Sequence, residues 1–264
     1  MVFANPVPAT YLDGSYYEDV GRPFYLSPAK LAGDFAPVRF SRELAYFRKF
    51  CRRGRVLDVG CSTGAFLYQL ISRWPEDYEV HGSDVSGPAL DHARSLGIDV
   101  VDNFFFHAHT WQYDAVTFWA TLEHVAEPKL FLEKAASLLR AGGGCFVLVP
   151  NFRSLATRLL RERYRYILPQ HVNYFTRATL RLIARPWFEE VYYTSTHFNP
   201  LVIVKDFLRR EAPADQERAA LLQKTNRMKT SRWLGPLRLV YGLGENVLKL
   251  GDLADNCLLV LRKR

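Results

Sequence analysis

Val56-Leu57-Asp58-Val59-Gly60-Cys61-Ser62-Thr63-Gly64-Ala65-Phe66-Leu67 decides the architecture of this chain. Val56, Leu57 and Val59 read as the end of a buried parallel strand. Gly60 to Gly64 read as a tight turn bounded by glycines, and Ala65-Phe66-Leu67 opens a helix with an apolar face. A strand, a glycine turn and a helix N-terminus make the kind of site at which backbone N–H groups face a ligand. Which ligand suits the turn depends on Asp58.

Outward from this stretch, strands and helices alternate. Upstream, Tyr11, Tyr16, Tyr17 and Tyr25 lie in an irregular arm, and Ser27-Pro28 has the form of a helix start, with Ser as N-cap and Pro in the first turn. Pro37 should interrupt that helix. Phe40, Leu44, Phe47 and Phe50 recur at helical spacing and predict a second helix over 38–51. Downstream, strands are predicted over 78–83, 98–101, 113–119, 145–149 and 188–198. The helices between them include one opened by Ser86-Gly87-Pro88, one running from Glu127-Pro128 to the Ala141–Gly144 glycines, and one capped by Thr176. Repeated βα units give an α/β fold, a parallel sheet with helices on both faces. Residues 201–250 break the rhythm and read as helices over 201–210, 215–229 and 233–250, before a last strand at 258–261. This divides the chain into an aromatic arm with helices (1–54), a core (55–200 and 256–264) and a helical insertion or lid (201–255).

Bulk composition bounds the reading without choosing a partner. With 264 residues, 48% of them hydrophobic, the chain can bury a sizeable core. Its net charge of +8 is compatible with nucleic acid, an anionic membrane surface, an acidic substrate or a solvated Arg-rich surface. Cys51, Cys61, Cys145 and Cys257 are far apart, with no CxxC pair and no zinc-type Cys/His spacing, so they read as reduced thiols of a cytoplasmic protein. The first residues lack the form of a signal peptide, and no apolar run approaches the ~18 residues of a spanning helix.

The chemistry of the turn follows from its carboxylate. A dinucleotide site wants Gly-x-Gly-x-x-Gly, but here Asp58 takes the first position and Gly64 follows Gly60 at a spacing of four. A carboxylate at a strand tip repels a pyrophosphate and attracts an ammonium or a sulfonium. Asp84 ends the next strand, where an acidic side chain can bind both ribose hydroxyls. Asp102-Asn103 ends the third, within reach of an adenine amino group. S-adenosylmethionine, a cationic adenosine compound, meets all three requirements, and NAD does not.

These residues resemble the class I S-adenosylmethionine-dependent methyltransferases. Asp58-x-Gly60-x-x-x-Gly64 looks like the first motif of that family and Gly82-Ser83-Asp84-Val85-Ser86 like its acidic second motif. Tyr113-Asp114-Ala115-Val116, with Leu122-Glu123-His124-Val125 and Pro128, is similar to the fourth-strand motif. Leu138-Leu139-Arg140-Ala141-Gly142-Gly143 with Pro150-Asn151 resembles the region around strand five. His171-Val172-Asn173-Tyr174-Phe175-Thr176 resembles a segment of a small-molecule branch that includes the ubiquinone-type O-methyltransferases. The resemblance implies a Rossmann-like, doubly wound sheet of seven strands, six parallel and the last antiparallel. It implies S-adenosylmethionine as cofactor, held by Asp58, Gly60, Cys61, Gly64, Asp84, Val85, Asp102 and Asn103. Arg185-Pro186-Trp187-Phe188 departs from the family, which usually has a small residue and Gly before the Phe.

Single residues carry two readings each. Trp119, at the carboxyl end of its strand, packs either the cofactor or the core. His124 serves either as general base for a hydroxyl nucleophile or as a packing and capping residue, and His171 is a second base candidate. Glu123 reads as structural. Tyr17, with Tyr16, either folds over the cofactor and attracts its cation or packs the arm. No metal is called for. Arg209, Arg210, Arg218, Lys224, Arg227, Lys229, Arg232 and Arg238 interleave with Trp233, Leu234, Leu237 and Leu239. Such helices either lie on an anionic membrane or pack on the domain with their charges solvated. The expectation is methyl transfer to an oxygen, less readily a carbon or nitrogen, of a small metabolite that can be sugar- or lipid-linked. Against it stand an RNA or protein methyltransferase and a cofactor-binding module without turnover.

Overall fold

The computed structural model describes residues 2–4, 6–7, 15–17, 22–101, 112–198, 200–208, 223, 226 and 235–264. Its strands are β1 (Val2–Phe3), β2 (Gly54–Val59), β3 (Tyr78–Ser83), β4 (Asp99–Val100), β5 (Tyr113–Trp119), β6 (Leu139–Pro150), β7 (Asn173–Tyr174), β8 (Phe188–Thr196) and β9 (Asn256–Lys263). Its helices are α1 (Pro28–Asp34), α2 (Ser41–Phe50), α3 (Ala65–Arg73), α4 (Gly87–Ser95), α5 (Pro128–Leu138), α6 (Leu155–Leu160), α7 (Arg177–Ala184), α8 (Pro200–Leu208) and α9 (Gly235–Leu250), with a further helical turn at Arg22–Tyr25.

The main sheet has seven strands in the order β4-β3-β2-β5-β6-β9-β8. β2 pairs in parallel with both β3 and β5, so the chain winds outward in one direction from β2 and then in the other from β5. A doubly wound sheet opens a crevice at that reversal, at the carboxyl ends of its strands. β9 runs antiparallel to both β6 and β8. It alone reverses direction in this sheet, which makes the pattern six parallel strands and one antiparallel.

Alternation along each strand divides the core into two layers. Val56, Ala115, Phe146 and Val260 face α2 and α3, where they meet Leu44, Phe47, Phe66 and Leu70. Leu57, Val116, Val147 and Leu261 face the other way, toward α5 and α7 with Leu132, Ala135 and Leu180. Burying both faces of β2 is why its sequence is a near-continuous apolar run. A polar residue inside it, Asp58, is therefore an exception with a reason.

Caps placed the helices where the sequence predicts. The Ser27 hydroxyl accepts the Lys30 N–H at the start of α1. At α7 the Thr176 and Thr179 side chains cap reciprocally. One expectation is corrected. The glycines at 142–144 do not end a helix, because α5 stops at Leu138 and β6 already begins at Leu139. Tyr113 pairs with Leu139 while Ala115 pairs with Gly144, so the glycines form an irregularity inside the ladder. The segment after His171 contributes β7, which pairs with the N-terminal β1 in a separate two-stranded sheet. In the insertion, α8 and α9 are present, while the expected helix over 215–229 and the basic residues from Arg209 to Arg232 lie outside the described residues, apart from two single positions. No helix among the described residues is long and apolar enough to cross a membrane.

Candidate active site

The turn after β2 sits at the crevice, and its geometry requires glycine. Gly60 and Gly64 have φ of +76° and +78°, in the left-handed region that side chains disfavour. A Cβ on Gly60 would stand 2.4 Å from the Thr121 hydroxyl, and one on Gly64 would stand 2.5 Å from Ile98 Cδ1. The loop after β5 and the end of the α4–β4 connection therefore close on the turn. Its amides are already engaged. The Gly60 and Cys61 N–H groups both donate to the Ser83 carbonyl, at 2.7 and 3.1 Å, and the Gly64 N–H donates to the Cys61 carbonyl at 2.9 Å. The Ser62 N–H donates to the Asp84 carboxylate at 2.8 Å. At these four positions the amides serve the fold, and the expectation that the turn's amides face a ligand does not hold for them.

Two carboxyl groups lie under and beside this turn. Asp58 pairs across the sheet with Gly82 on one side and Thr117 on the other. It is 2% exposed, and Thr117 Oγ1 donates to it at 2.6 Å. Burial pushes its carboxyl up to about 8, against the opposing pull of that hydrogen bond. Asp84 is less enclosed. It accepts the Ser62 N–H with one oxygen and the Ser86 N–H, 2.9 Å away, with the other. It therefore ties the turn to the start of α4, a task the Ser86 side chain does not perform. Burial raises its pKa, and the backbone amides of Ser86, Ser62 and Val85 work against that rise. An ionised carboxylate has about four lone-pair sites. The amides do not exhaust them, so Asp84 retains acceptor capacity for a ligand hydroxyl. Val85 beside it is 59% exposed, an apolar surface at the rim of the crevice.

The loop after β5 builds the other half. Ala120 takes a φ of +59° as the chain leaves the strand, and Thr121 Oγ1 fastens the loop by donating to the Val59 carbonyl at 2.8 Å. The Glu123 carbonyl accepts the Asn173 N–H at 3.0 Å, and Asn173 Nδ2 donates to the Val125 carbonyl at 2.6 Å. This clamp brings the β7 segment against the loop and sets the rings of His124 and His171 edge to face, 4.6 Å apart. His124 Nδ1 lies 2.9 Å from the Gln170 carbonyl, and His171 Nδ1 lies 2.8 Å from the Tyr166 carbonyl. A carbonyl only accepts, so both Nδ1 atoms carry a proton, and Nε2 is the nitrogen of each ring that can exchange one. Glu123 is 1% exposed, has one carboxylate oxygen without a hydrogen-bond partner, and is pushed by burial up to about 8. One donor atom from each of Glu123, His124 and His171 lies within 4.8 Å of the other two.

Tyr17 joins the two halves. Its hydroxyl is 3.0 Å from His124 Nδ1, and its ring stands edge-on to Tyr16 at 5.3 Å. Burial above all holds its hydroxyl well above the usual phenol range, with smaller contributions from Tyr25, Tyr16, Glu123 and Asp84. Tyr17 thus lies against His124, with its ring edge-on to the imidazole at 6.0 Å.

Other residues are placed differently from expectation. The Cys61 thiol faces the sheet, since a Cβ on Gly82 would come within 2.7 Å of it, and Cys61 is buried. It packs the turn and does not face the crevice. Trp119 is core, with its ring 5.0 Å from Phe66 and 6.4 Å from Phe146. Asp102 and Asn103 lie outside the described residues. Sequence reasoning missed Thr117, Thr121 and the part played by Glu123. Thr117 had a signal, a hydroxyl inside an apolar strand. Thr121 and Glu123 had none, because their roles come from how the loop folds back.

Comparison with known proteins places this architecture. A methyltransferase-domain family model matches residues 34–185, more than half of the chain. The chain belongs to that methyltransferase family. The ubiquinone biosynthesis O-methyltransferase of Shigella boydii serotype 18 is 30% identical over 193 residues, covering 65% of this chain and 79% of that protein. The enzyme of the same name from Vibrio cholerae serotype O1 is 29% identical over 163 residues, or 55% of this chain and 65% of that protein. The match thus spans just under two thirds of the Vibrio relative. A SAM-dependent methyltransferase from Thermotoga maritima shares the fold, with a TM-score of 0.56 at 16% identity over 93% of this chain and 95% of that one. The fold is the one shared by class I, S-adenosylmethionine-dependent methyltransferases.

Proposed function

We propose that the enzyme transfers a methyl group to an oxygen of a small hydroxylated metabolite. S-adenosylmethionine, when bound, supplies an electrophilic methyl on a sulfonium. In this reading Asp84 holds the ribose hydroxyls, Val85 covers an apolar side of the nucleoside, and Asp58, buried and bonded to Thr117, supports the turn from beneath. Tyr17 covers the crevice and keeps water from the cationic centre.

The observation that carries an oxygen target is the pair of imidazoles with Nδ1–H committed to backbone carbonyls. A hydroxyl is a poor nucleophile until it loses its proton. Two such imidazoles beside a buried carboxyl are surroundings in which it can do so. An amine acceptor would need no base of this kind once neutral. The printed names of the Shigella and Vibrio relatives lend support to oxygen.

The test is incubation of the enzyme with methyl-labelled S-adenosylmethionine and a panel of phenols, sugars and amines, with carbon NMR of the products. An O-methyl signal is expected. Labelling confined to amine or carbon centres would overturn the reading.

A further inference from the structure

We infer that Arg165 and Asp206 are positioning residues for the acceptor site: their ion pair locks α8, the first helix of the insertion, onto the segment that orients His171. Arg165 Nε donates to Asp206 Oδ2 at 2.8 Å, and its Nη2 donates to Oδ1. The guanidinium thus meets both carboxylate oxygens, an arrangement that fixes direction as well as distance. The pair is enclosed, with the two side chains 13% and 2% exposed. Beside it lies a small apolar cluster in which Ala156, Leu160 and Tyr164 pack with Ile167 and Ile203. Ile203 stands three residues before Asp206, so one face of α8 presents both. A buried ion pair is a poor source of stability, because desolvating two charges offsets most of their attraction. Apolar side chains of similar volume would hold α8 against this cluster as well. What the pair adds is register.

Register matters because of the residues on either side of Arg165. Tyr164, 2% exposed, fills the cluster and hydrogen-bonds to the Asp255 side chain just ahead of β9. Tyr166 holds His171 in two ways. Its carbonyl accepts the His171 Nδ1–H at 2.8 Å, and its ring stacks on the imidazole with centroids 6.3 Å and planes 25° apart. The rings of Tyr164 and Tyr166 meet edge to face at 5.2 Å. Three successive residues therefore tie the core, the insertion and His171 together. An Arg165 released from α8 lets the Tyr166 carbonyl turn, and His171 then loses the acceptor that keeps a proton on Nδ1. An imidazole that transfers a proton works in one tautomer and one orientation, so the ion pair reaches the reaction through Tyr166 and His171. This role rests on the oxygen-directed reading above; the orientation of the ring by the ion pair does not.

The experiment compares the full-length wild type with Arg165→Lys and with the double variant Arg165→Met/Asp206→Leu. The lysine keeps the charge and loses the planar two-point contact. The double variant replaces the pair by apolar side chains of similar volume, and urea unfolding should find it as stable as wild type. With isotope-labelled histidine, two-bond proton–nitrogen correlation spectra report which ring nitrogen carries the proton, and the His171 signals are assigned by their loss in His171→Asn. Wild type is expected to show His171 as one species protonated on Nδ1, and both variants a mixture. Turnover of the panel compound that wild type methylates should fall by about 10–100-fold in both variants, with the Kd for S-adenosylmethionine unchanged by calorimetry. A pair that only holds the fold together predicts a stable double variant with the wild-type His171 spectrum, and that result overturns the inference. An altered spectrum with undiminished turnover overturns it too and leaves O-methylation standing. Methyl transfer confined to nitrogen would sink the oxygen-directed reading, while an altered spectrum would still uphold the orientation of His171 by the pair.

Discussion

Gly60→Ala is the perturbation whose cost can be worked most fully. Gly60 and Gly97 have nearly the same backbone, with φ of +76° and +78°, but different surroundings. A Cβ on Gly97 meets nothing within 4 Å, whereas one on Gly60 meets Thr121 Oγ1 at 2.4 Å and Cγ2 at 2.7 Å. An alanine in the left-handed region costs about 1–2 kcal/mol, and Gly97→Ala should cost that alone. At Gly60 the Thr121 side chain must also swing away. It loses its hydrogen bond to the Val59 carbonyl, about 1 kcal/mol, and leaves its rotamer well for about 1 kcal/mol more. Gly60→Ala should therefore cost about 3–4 kcal/mol, roughly 2 kcal/mol more than Gly97→Ala. Urea unfolding at fixed pH measures both. Thr121→Ala, which costs about 1 kcal/mol alone, should be neutral or stabilising in the Gly60→Ala background, because the bond is already lost and the crowding is relieved. Equal costs at Gly60 and Gly97, or additive costs in the double variant, would refute the claim that the β5 loop is packed onto the turn.

Two further outcomes follow from the buried titratable groups. Asp58 holds its proton up to about 8 in the folded enzyme, far above an unfolded carboxyl at ~4. Its contribution to stability is complete below that lower value and is lost as pH rises toward the upper one. Wild type should therefore lose stability relative to Asp58→Asn between about pH 5 and about pH 8, and a pH-independent difference would contradict the assigned burial. Cys51, Cys61, Cys145 and Cys257 are all buried, and burial pushes the Cys51 and Cys257 thiols up to about 12. At about pH 8 the native enzyme should resist thiol alkylation, with full labelling only in denaturant; rapid native labelling would contradict the core as described.

The strand–turn–helix was legible because each part leaves a local mark: an apolar run, two glycines, an amphipathic start. Asp84 was legible for the same reason, as the acid closing the next strand. The hydrogen bonds of the turn were not. Its amides go to Ser83 and Asp84, more than twenty residues away, and nothing local distinguishes an amide facing a ligand from one facing a neighbouring strand. β1 and β7 were hidden because two-residue strands have no period to read. The Ala141–Gly144 run misled because the same residues that end helices also permit a break in a ladder. Glu123 reads as structural in a loop motif, and its closeness to both histidines follows only from β7 clamping that loop and carrying His171 to it.

The central claim is that Asp84 and the Gly60–Gly64 turn hold the nucleoside of the methyl donor. Calorimetry of S-adenosylmethionine binding to wild type and to Asp84→Ala tests it directly. The account predicts one donor bound per wild-type chain and an affinity lowered by more than tenfold in the variant, equivalent to a loss of about 1.4 kcal/mol or more. A wild-type chain that ignores S-adenosylmethionine, or a folded Asp84→Ala variant that binds it as tightly as wild type, would contradict it.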